Sequence, residues 1–400
     1  MIENNPGKIK KAEIVAGIPS FNEADNIAFV TKQIDRGLQK YFSQKTTVII
    51  NSDNNSPDNT GKVFLQTKTK SHKIYISTPA GQQGKGNNLK NLFLKIKDLE
   101  ATAAMTVDAD LKSINPEWIK CLLEPIVSGY DFVSPTYHRH KNDGSITNHL
   151  AYPLIYGLLG YNISQPIGGD MAFSKRMVEY WLKQKWFNTT KNYGIDIFMT
   201  SNAVKSGFNL AQVNLGSKIH KPSLPKLDKM FLEVADTLFA FLSANKNLWL
   251  KKINFKIPPL VCQIPKKSSS TKAKNCFFID YRIIEKIAIS EFLKNYEPVK
   301  EDILPEIRER LEKIFLHEKS FEIDIALWTK IVYQALYLYQ TDSKKNLAIK
   351  LLRALYFARM ASTIKDNSNK TQAEAEKIIQ SQAGHFLKTR DYLLSLIASK

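Results

Sequence analysis

The segment EIVAGIPSFNEADNIAFVTKQIDRGLQKYFSQKTTVIIN, residues 13–51, decides the fold of this chain. It begins and ends with short apolar runs rich in β-branched residues, which are typical of buried strands. Between these runs four apolar side chains recur at helical spacing: Ile27, Val30, Ile34 and Leu38. Similar apolar runs at 73–77 and 101–107 continue the alternation of strand and helix. This order predicts parallel strands with right-handed crossovers, and therefore a doubly wound α/β sheet.

The composition changes after this alternating half. Residues 251–275 contain lysine, proline and serine but no acid, and we interpret them as a basic linker. Beyond them, the runs 321–340 and 344–362 have helical periodicity and lack both glycine and proline. The sequence therefore predicts a catalytic domain at 1–250, a linker at 251–275 and a helical domain at 276–400.

Cysteine usage and hydropathy indicate the compartment. The three cysteines have neither CxxC nor zinc-ligand spacing, which predicts no disulfide framework and a reducing environment. No window approaches the roughly 18–20 apolar residues that a membrane-spanning helix needs. The first apolar run is too short for a secretory signal. We therefore expect a cytoplasmic protein that has no membrane partner.

Two acids end the run at 101–107. Asp108 and Asp110 are separated by the small Ala109, so both side chains leave the strand on one face. Paired hard oxygen ligands suit a divalent cation that also bridges phosphates, although an acidic turn produces the same pattern. In the GKG turn, Lys85 begins a predicted helix and could complete an anion cradle, or the turn could be an ordinary glycine-rich one. Asp53 also follows a strand and could pair with a base or ribose.

Several motifs in order carry a resemblance to a known family. IPSFNEADNI, DNNSPDNT, GKG and DAD resemble the nucleotide-sugar-binding half of GT-A-fold glycosyltransferases. Downstream, YHRHKNDGSITNHLAYPLI, QPIGGDMAFSKRM, NYGIDIFMT and NLGSKIHKPSLPKLDKM resemble the mannosylglycerate synthase and glucosyl-3-phosphoglycerate synthase families. The resemblance covers about residues 12–240. It implies a GT-A domain, with a mostly parallel Rossmann-like sheet, followed by a helical C-terminal domain.

The resemblance also implies roles for individual residues. The catalytic residues would be Asp196, Asp110 and Lys85. The donor would be bound by Pro19, Glu23, Asp53, Lys85, Asp108, Ala109 and Asp110. The acceptor would be bound by Arg139, Thr147, Ile167, Gly168, Gly169 and Tyr193. A divalent cation, Mn²⁺ or Mg²⁺, would be held by Asp110, His220 and Asp108.

The implied activity is a metal-dependent, retaining transfer of a hexose from GDP-mannose, UDP-glucose or GDP-glucose to D-glycerate. The product would be an α-glycosylglycerate of the compatible-solute type, made by a homo-oligomer, specifically a dimer. Transfer to 3-phosphoglycerate is the alternative, because NSDNNSPD resembles the phosphoglycerate branch more closely. Two further positions depart from the pattern: Tyr193 replaces a tryptophan, and Asp170 replaces a glutamate.

Other classes of protein make different predictions. A net charge of +19 could serve a nucleic-acid or membrane-surface binding protein, which would interleave basic residues with exposed aromatics. Phe255 is the only aromatic residue in the basic segment 251–274, so we expect no nucleic-acid partner. Nucleotidyl transfer would call for a glycine-rich loop after the first strand, and GIPSFNEADN stands there instead.

Overall fold

The computed structural model describes residues 2–221, 224–264, 280–317 and 321–398. These residues form two compact units. The first unit comprises residues 2–138, the described part of 165–225, and 257–264. The second unit comprises 139–164, 226–256 and the described residues from 280 onward. The units therefore interleave along the chain, whereas the sequence predicted consecutive segments, with a domain at 1–250, a linker at 251–275 and a domain at 276–400.

Among the described residues, nine strands form one mixed sheet, all of it in the first unit. The strands are β1 (Ile2–Asn4), β2 (Ile14–Ser20), β3 (Thr47–Asp53), β4 (His72–Ser77), β5 (Ala103–Thr106), β6 (Phe132–His138), β7 (Met171–Ser174), β8 (Leu210–Ser217) and β9 (Leu260–Gln263). Their order is β1-β4-β3-β2-β5-β7-β6-β8-β9. The pairs β2–β3, β2–β5, β3–β4, β6–β8 and β8–β9 are parallel. This mostly parallel sheet confirms the predicted α/β class.

Six α-helices of the first unit connect these strands: α1 (Ile27–Tyr41), α2 (Thr60–Gln66), α3 (Lys85–Asp98), α4 (Pro116–Val127), α6 (Lys175–Lys183) and α7 (Ile195–Ser206). The four apolar residues that predicted α1 are all fully buried, as expected for the inner face of an amphipathic helix. The spacing of Ser20 and Glu23 has the pattern of a capping box, but α1 begins later, at Ile27. The Ser20 hydroxyl instead donates to Asp53 at 2.6 Å.

The position of β7 determines which loops meet at the edge of the sheet where the predicted ligands would bind. β7 runs antiparallel to both β5 and β6, and Met171 pairs with Thr106. The amino end of β7 therefore lies beside the carboxyl end of β5. β6 and β8 are parallel to each other, so their carboxyl ends reach the same edge. This arrangement brings together the GGD turn (168–170), the DAD motif (108–110) and the segment after β8.

A disulfide joins Cys121 in α4 to Cys262 in β9, with the two Cα atoms 5.4 Å apart. The prediction from cysteine spacing was therefore wrong, because the sheet brings together two cysteines that lie 141 residues apart in sequence. Cysteine usage consequently no longer supports a reducing compartment. β9 itself lies within the predicted linker 251–275, whose residues 265–275 fall outside the described residues.

The second unit is helical. Its α-helices are α5 (Tyr152–Leu159), α8 (Leu227–Ala244), α9 (Tyr281–Asn295), α10 (Pro305–Glu312), α11 (Ile325–Tyr339), α12 (Lys345–Asp366), α13 (Gln372–Lys388) and α14 (Arg390–Ala398). The periodic runs that predicted helices became α11 and α12, so that prediction is confirmed. In the described ranges, no helix combines the length and the apolar character needed to cross a bilayer.

Candidate active site

The Asp108 carboxylate lies between two ammonium groups. Lys85 Nζ is 3.0 Å from Oδ1, and Lys218 Nζ is 3.0 Å from Oδ2. Burial disfavours the charged form of Asp108, but the two lysines outweigh it and hold the pKa of the carboxyl well below its ordinary value. Asp108 is therefore ionised, and both of its oxygens accept hydrogen bonds from protein groups rather than facing an open cation site.

Lys85 extends this cluster to Asp196. Its ammonium is also 3.0 Å from Asp196 Oδ2 in the first turn of α7. Burial raises the pKa of the Asp196 carboxyl, and the Lys85 charge opposes that increase. The structure thus brings together three residues whose roles the resemblance implies, Lys85, Asp108 and Asp196, although they are far apart in sequence.

The glycines around Lys85 serve close packing. A Cβ on Gly86 would lie 1.9 Å from the Thr190 carbonyl oxygen, so only glycine fits there. The Gly86 amide donates to the Asn192 carbonyl at 3.1 Å and is not free to bind an anion. The predicted cradle of free amides is therefore not supported at Gly86. The turn instead fixes the start of α3 and aims the Lys85 side chain at the acids.

Asp110 has a different environment from Asp108. Burial and the neighbouring Asp108 charge raise the pKa of its carboxyl, and His220 lies near enough to oppose that increase. The His220 Nδ1 is 2.7 Å from the Lys221 carbonyl oxygen, so Nδ1 must carry the proton. Its Nε2 is buried and has no hydrogen-bond partner among the described residues. In a neutral imidazole with its proton on Nδ1, Nε2 carries a free lone pair, and such a nitrogen near a carboxylate fits a divalent cation.

Within the part of the chain that the structure describes, no three or more His, Cys, Asp and Glu side chains are arranged to hold a metal ion. Asp110 and His220 therefore stay predicted ligands, and the predicted third ligand, Asp108, accepts hydrogen bonds from two lysines. Glu23, a predicted donor residue, accepts from Lys221 Nζ at 2.8 Å. It also helps to raise the pKa of Asp110.

Asp53 connects its own loop to the neighbouring strands β2 and β4 on the predicted donor side. The carboxylate is fully buried and accepts from the hydroxyls of Ser20, Ser56 and Tyr75 and from the Ser56 amide. Four protein donors already occupy its oxygens. Its predicted contact with a base or ribose stays a prediction. Pro19 is buried in β2, beside Ser52 of β3. Ala109 is likewise buried, but β5 ends at Thr106, so the strand alternation that was expected to set both acids on one face does not extend to Asp108 and Asp110.

The predicted acceptor residues divide between the units. Ile167, Gly168, Gly169 and Tyr193 belong to the first unit, whereas Arg139 and Thr147 belong to the second. Gly169 has φ +82°, and a Cβ there would lie 2.5 Å from Asp108 Oδ2, so the turn touches the acid motif directly. In the second unit, Arg139 Nη1 is 3.2 Å from Asp143 Oδ2. Thr147 is buried at the start of a π-helical turn, Thr147–Ala151.

The sequence assigned no role to two residues of the site, Lys218 and Asp170, although Asp170 was noted as a departure from the family pattern. Lys218 is 8% exposed and Asp170 is fully buried, and their side chains form a salt bridge at 2.7 Å. The available signal was position: Lys218 directly follows β8, and Asp170 directly precedes β7. Both therefore lie at the sheet edge where the predicted ligands collect.

Comparison with known proteins gives one family match. A family model described as "Mannosylglycerate synthase, GT domain" matches residues 26–242, more than half of the chain. Among solved structures, glucosyl-3-phosphoglycerate synthase from Mycobacterium tuberculosis in complex with Mn²⁺, UDP and phosphoglyceric acid is 23% identical. That match covers 57% of this chain and 78% of that chain, with a TM-score of 0.47. A structure described as a mycobacterial protein is 24% identical over 60% of this chain and 80% of that chain, with a TM-score of 0.45.

Proposed function

The chain belongs to the mannosylglycerate synthase family through its glycosyltransferase domain, and from that premise we propose that it transfers a hexose from a nucleotide sugar to D-glycerate with retention of configuration. The donor candidates are GDP-mannose, UDP-glucose and GDP-glucose, and mannose has the support of the family description. The proposed product is an α-glycosylglycerate.

One observation carries this proposal. Lys85, Asp108 and Asp196 form a connected charge cluster at the carboxyl edge of the sheet, and Asp110 with its neighbour His220 lies next to it. Ligands of open α/β sheets bind at this edge. An ammonium group held among acids can stabilise the negative charge of a departing diphosphate without chemical change to the protein. The cluster therefore supports group transfer by positioning and electrostatics.

We propose that Asp110 and His220 hold the divalent cation, Mn²⁺ or Mg²⁺. When bound, such an ion neutralises charge on the diphosphate leaving group. The buried Nε2 of His220, left without a partner, supports this assignment. Asp196, next to Lys85, would orient the acceptor hydroxyl, since near-attack placement lowers the barrier to a two-substrate reaction.

The acceptor carboxylate is proposed to bind Arg139 and Thr147. An arginine fork can bind a carboxylate through two parallel hydrogen bonds. Lys141, which could have served a phosphate, instead donates to the carbonyls of Asn367, Ser368 and Lys370 at the end of α12. Cations are stabilising at helix C-termini, so Lys141 is committed to the helix. This supports D-glycerate ahead of 3-phosphoglycerate.

The test is a matrix of reactions. The purified protein is incubated with each of the three donors and with D-glycerate or 3-phosphoglycerate, in Mn²⁺ or Mg²⁺, and product is identified by mass spectrometry. Asp110→Ala and a chelator serve as controls. We expect α-linked product with D-glycerate. A kcat/KM tenfold higher with 3-phosphoglycerate would reverse the acceptor order, and no transfer in any combination would refute the proposal.

A further inference from the structure

Lys218 joins three backbone segments through one ammonium group. Its Nζ lies 3.0 Å from Asp108 Oδ2, 2.7 Å from Asp170 Oδ2 and 2.8 Å from the Gly168 carbonyl oxygen. An ammonium group has three N–H donors, and these three contacts use all of them. Lys218 therefore links the segment after β8 to both the acid motif and the GGD turn.

Asp170 forms the other half of this link. Its Oδ1 accepts from the Asp108 amide at 2.9 Å, and its Oδ2 accepts from Lys218 and from the Tyr137 hydroxyl. Asp108 is thus held twice, by its backbone through Asp170 and by its carboxylate through Lys218. Three of the four groups in this set, Lys218, Asp170 and Tyr137, are buried, so a low dielectric strengthens each contact.

The two lysines beside Asp108 differ in exposure. The Lys85 side chain is 18% exposed and that of Lys218 is 4% exposed. Lys85 can therefore reach a bound donor, whereas Lys218 is enclosed by its three partners. A buried charge is costly, and a chain that needed only a filled core could use an apolar side chain here. The arrangement suits a residue that fixes the position of another.

We propose that Lys218 is a positioning residue for hexosyl transfer, holding the Asp108 carboxylate and the Gly168–Gly169 turn in one fixed arrangement through Asp170. This inference rests on the proposed function, and on the roles that the family resemblance implies for Asp108 toward the donor and for the turn toward the acceptor. Lys218 would then fix the position of the donor site relative to the acceptor site. Its loss should lower kcat more than it changes either KM.

A purely structural role makes a different prediction, and paired substitutions separate the two. Lys218→Met leaves Asp170 buried and unpaired, so it should destabilise the fold whichever role is correct. The double variant Lys218→Met with Asp170→Asn removes both charges and keeps an oxygen to accept from the Asp108 amide. If Lys218 only neutralises Asp170, the double variant should regain both stability and kcat.

Lys95→Met is the matched control. Lys95 lies in the same unit, is also 8% exposed and pairs with Glu3 at 2.7 Å, outside the site. We expect the double variant to melt close to wild type yet to have a kcat lower by on the order of 10²-fold, the cost of roughly 1 Å of misplacement. Lys95→Met should retain wild-type kcat. Recovery of wild-type kcat in the double variant would overturn the proposal.

Failure of the proposed function would be visible separately, because it is measured on the wild-type protein. If wild type transfers no hexose, crystal structures of the wild type and the double variant test the Lys218 link instead. The Asp108 carboxylate and the Gly168–Gly169 turn should then be displaced by about 1 Å in the double variant. Unchanged positions would refute a positioning role for Lys218.

Discussion

The two units bury polar groups in opposite ways. In the first unit, the buried ammonium of Lys218 meets carboxylates at 2.7 and 3.0 Å. In the second unit, Arg359 is 4% exposed, and its guanidinium donates to neutral oxygens of Gln382 and Ile323. Among the described residues, no carboxylate forms a salt bridge with Arg359. Burial lowers the pKa of that guanidinium to about 10.

His149 belongs to this second cluster. Burial and the nearby Arg359 lower its pKa to about 3, and its Nδ1 lies 3.2 Å from Gln382 Nε2. Gln382 thus connects a neutral imidazole on the π-helical turn to the guanidinium on α12. Opposite charges at the edge of a sheet can exchange partners with a charged ligand. The Gln382 amide, which is bonded to a histidine and an arginine, instead joins helical segments. The contrast agrees with our proposal of chemistry at the first cluster, and it indicates a structural role for the second.

Removing Asp110 should separate activity from stability most sharply. Asp110→Ala deletes the carboxylate proposed to hold the cation, and we expect transfer to fall by about 10³-fold, as for loss of an essential electrostatic group. The carboxyl has a raised pKa, so the protein gains little stability from its charge. Melting temperature should stay near wild type. Near-normal turnover with unchanged metal dependence would show that Asp110 does not hold the cation.

Arg139→Ala tests whether a residue of the second unit contributes to acceptor binding. We expect the acceptor kcat/KM to fall by roughly 10- to 1000-fold, because a charge-assisted contact worth about 1.5–3 kcal/mol or somewhat more is lost. Donor binding should barely change. Asp143→Asn is the control, since it removes the salt-bridge partner of Arg139 but keeps the guanidinium. Unchanged acceptor kinetics in the Arg139 variant would place the acceptor site elsewhere.

Asp108→Ala should differ from Asp110→Ala in stability. It removes the shared partner of Lys85 and Lys218 and leaves two largely buried ammonium groups less well paired. We expect the free energy of unfolding to fall by about 1–3 kcal/mol, which urea titration would measure. Equal stabilities of the two alanine variants would contradict the network described for Asp108.

The second cluster predicts a pH dependence of stability. The pKa of His149 is about 3 in the folded protein and near 6.5 when unfolded, so the unfolded chain binds the proton more readily. Stability should therefore be lost as pH falls from about 6.5 toward 3, at about 1.4 kcal/mol per pH unit. His149→Asn keeps an acceptor for Gln382 but cannot titrate, and its stability should depend less on pH. Parallel pH profiles for wild type and this variant would show that His149 is not the responsible group.

Much of the fold could be predicted from the sequence because the relevant signals are local. Alternating apolar runs and helical periodicity reflect which face of an element is buried, so β2, α1, β3, α11 and α12 were predicted near their true positions. Motif order identified the family, because the acids and glycines after the strands keep their order along the chain. The predicted charged groups at Lys85, Asp108 and Asp196 do meet in space.

Tertiary structure decided what depends on contacts between distant segments. The antiparallel β7 places Asp170 under Asp108, and β8 delivers Lys218 to both, so the partners of the acid motif come from residues with no motif of their own. The Cys121–Cys262 bond likewise joins a helix to an edge strand. Periodicity records the burial of each residue but carries no information about which buried residue faces which. That choice follows from strand order and packing, because charge pairs and disulfides form only where the fold brings their atoms within a few ångströms.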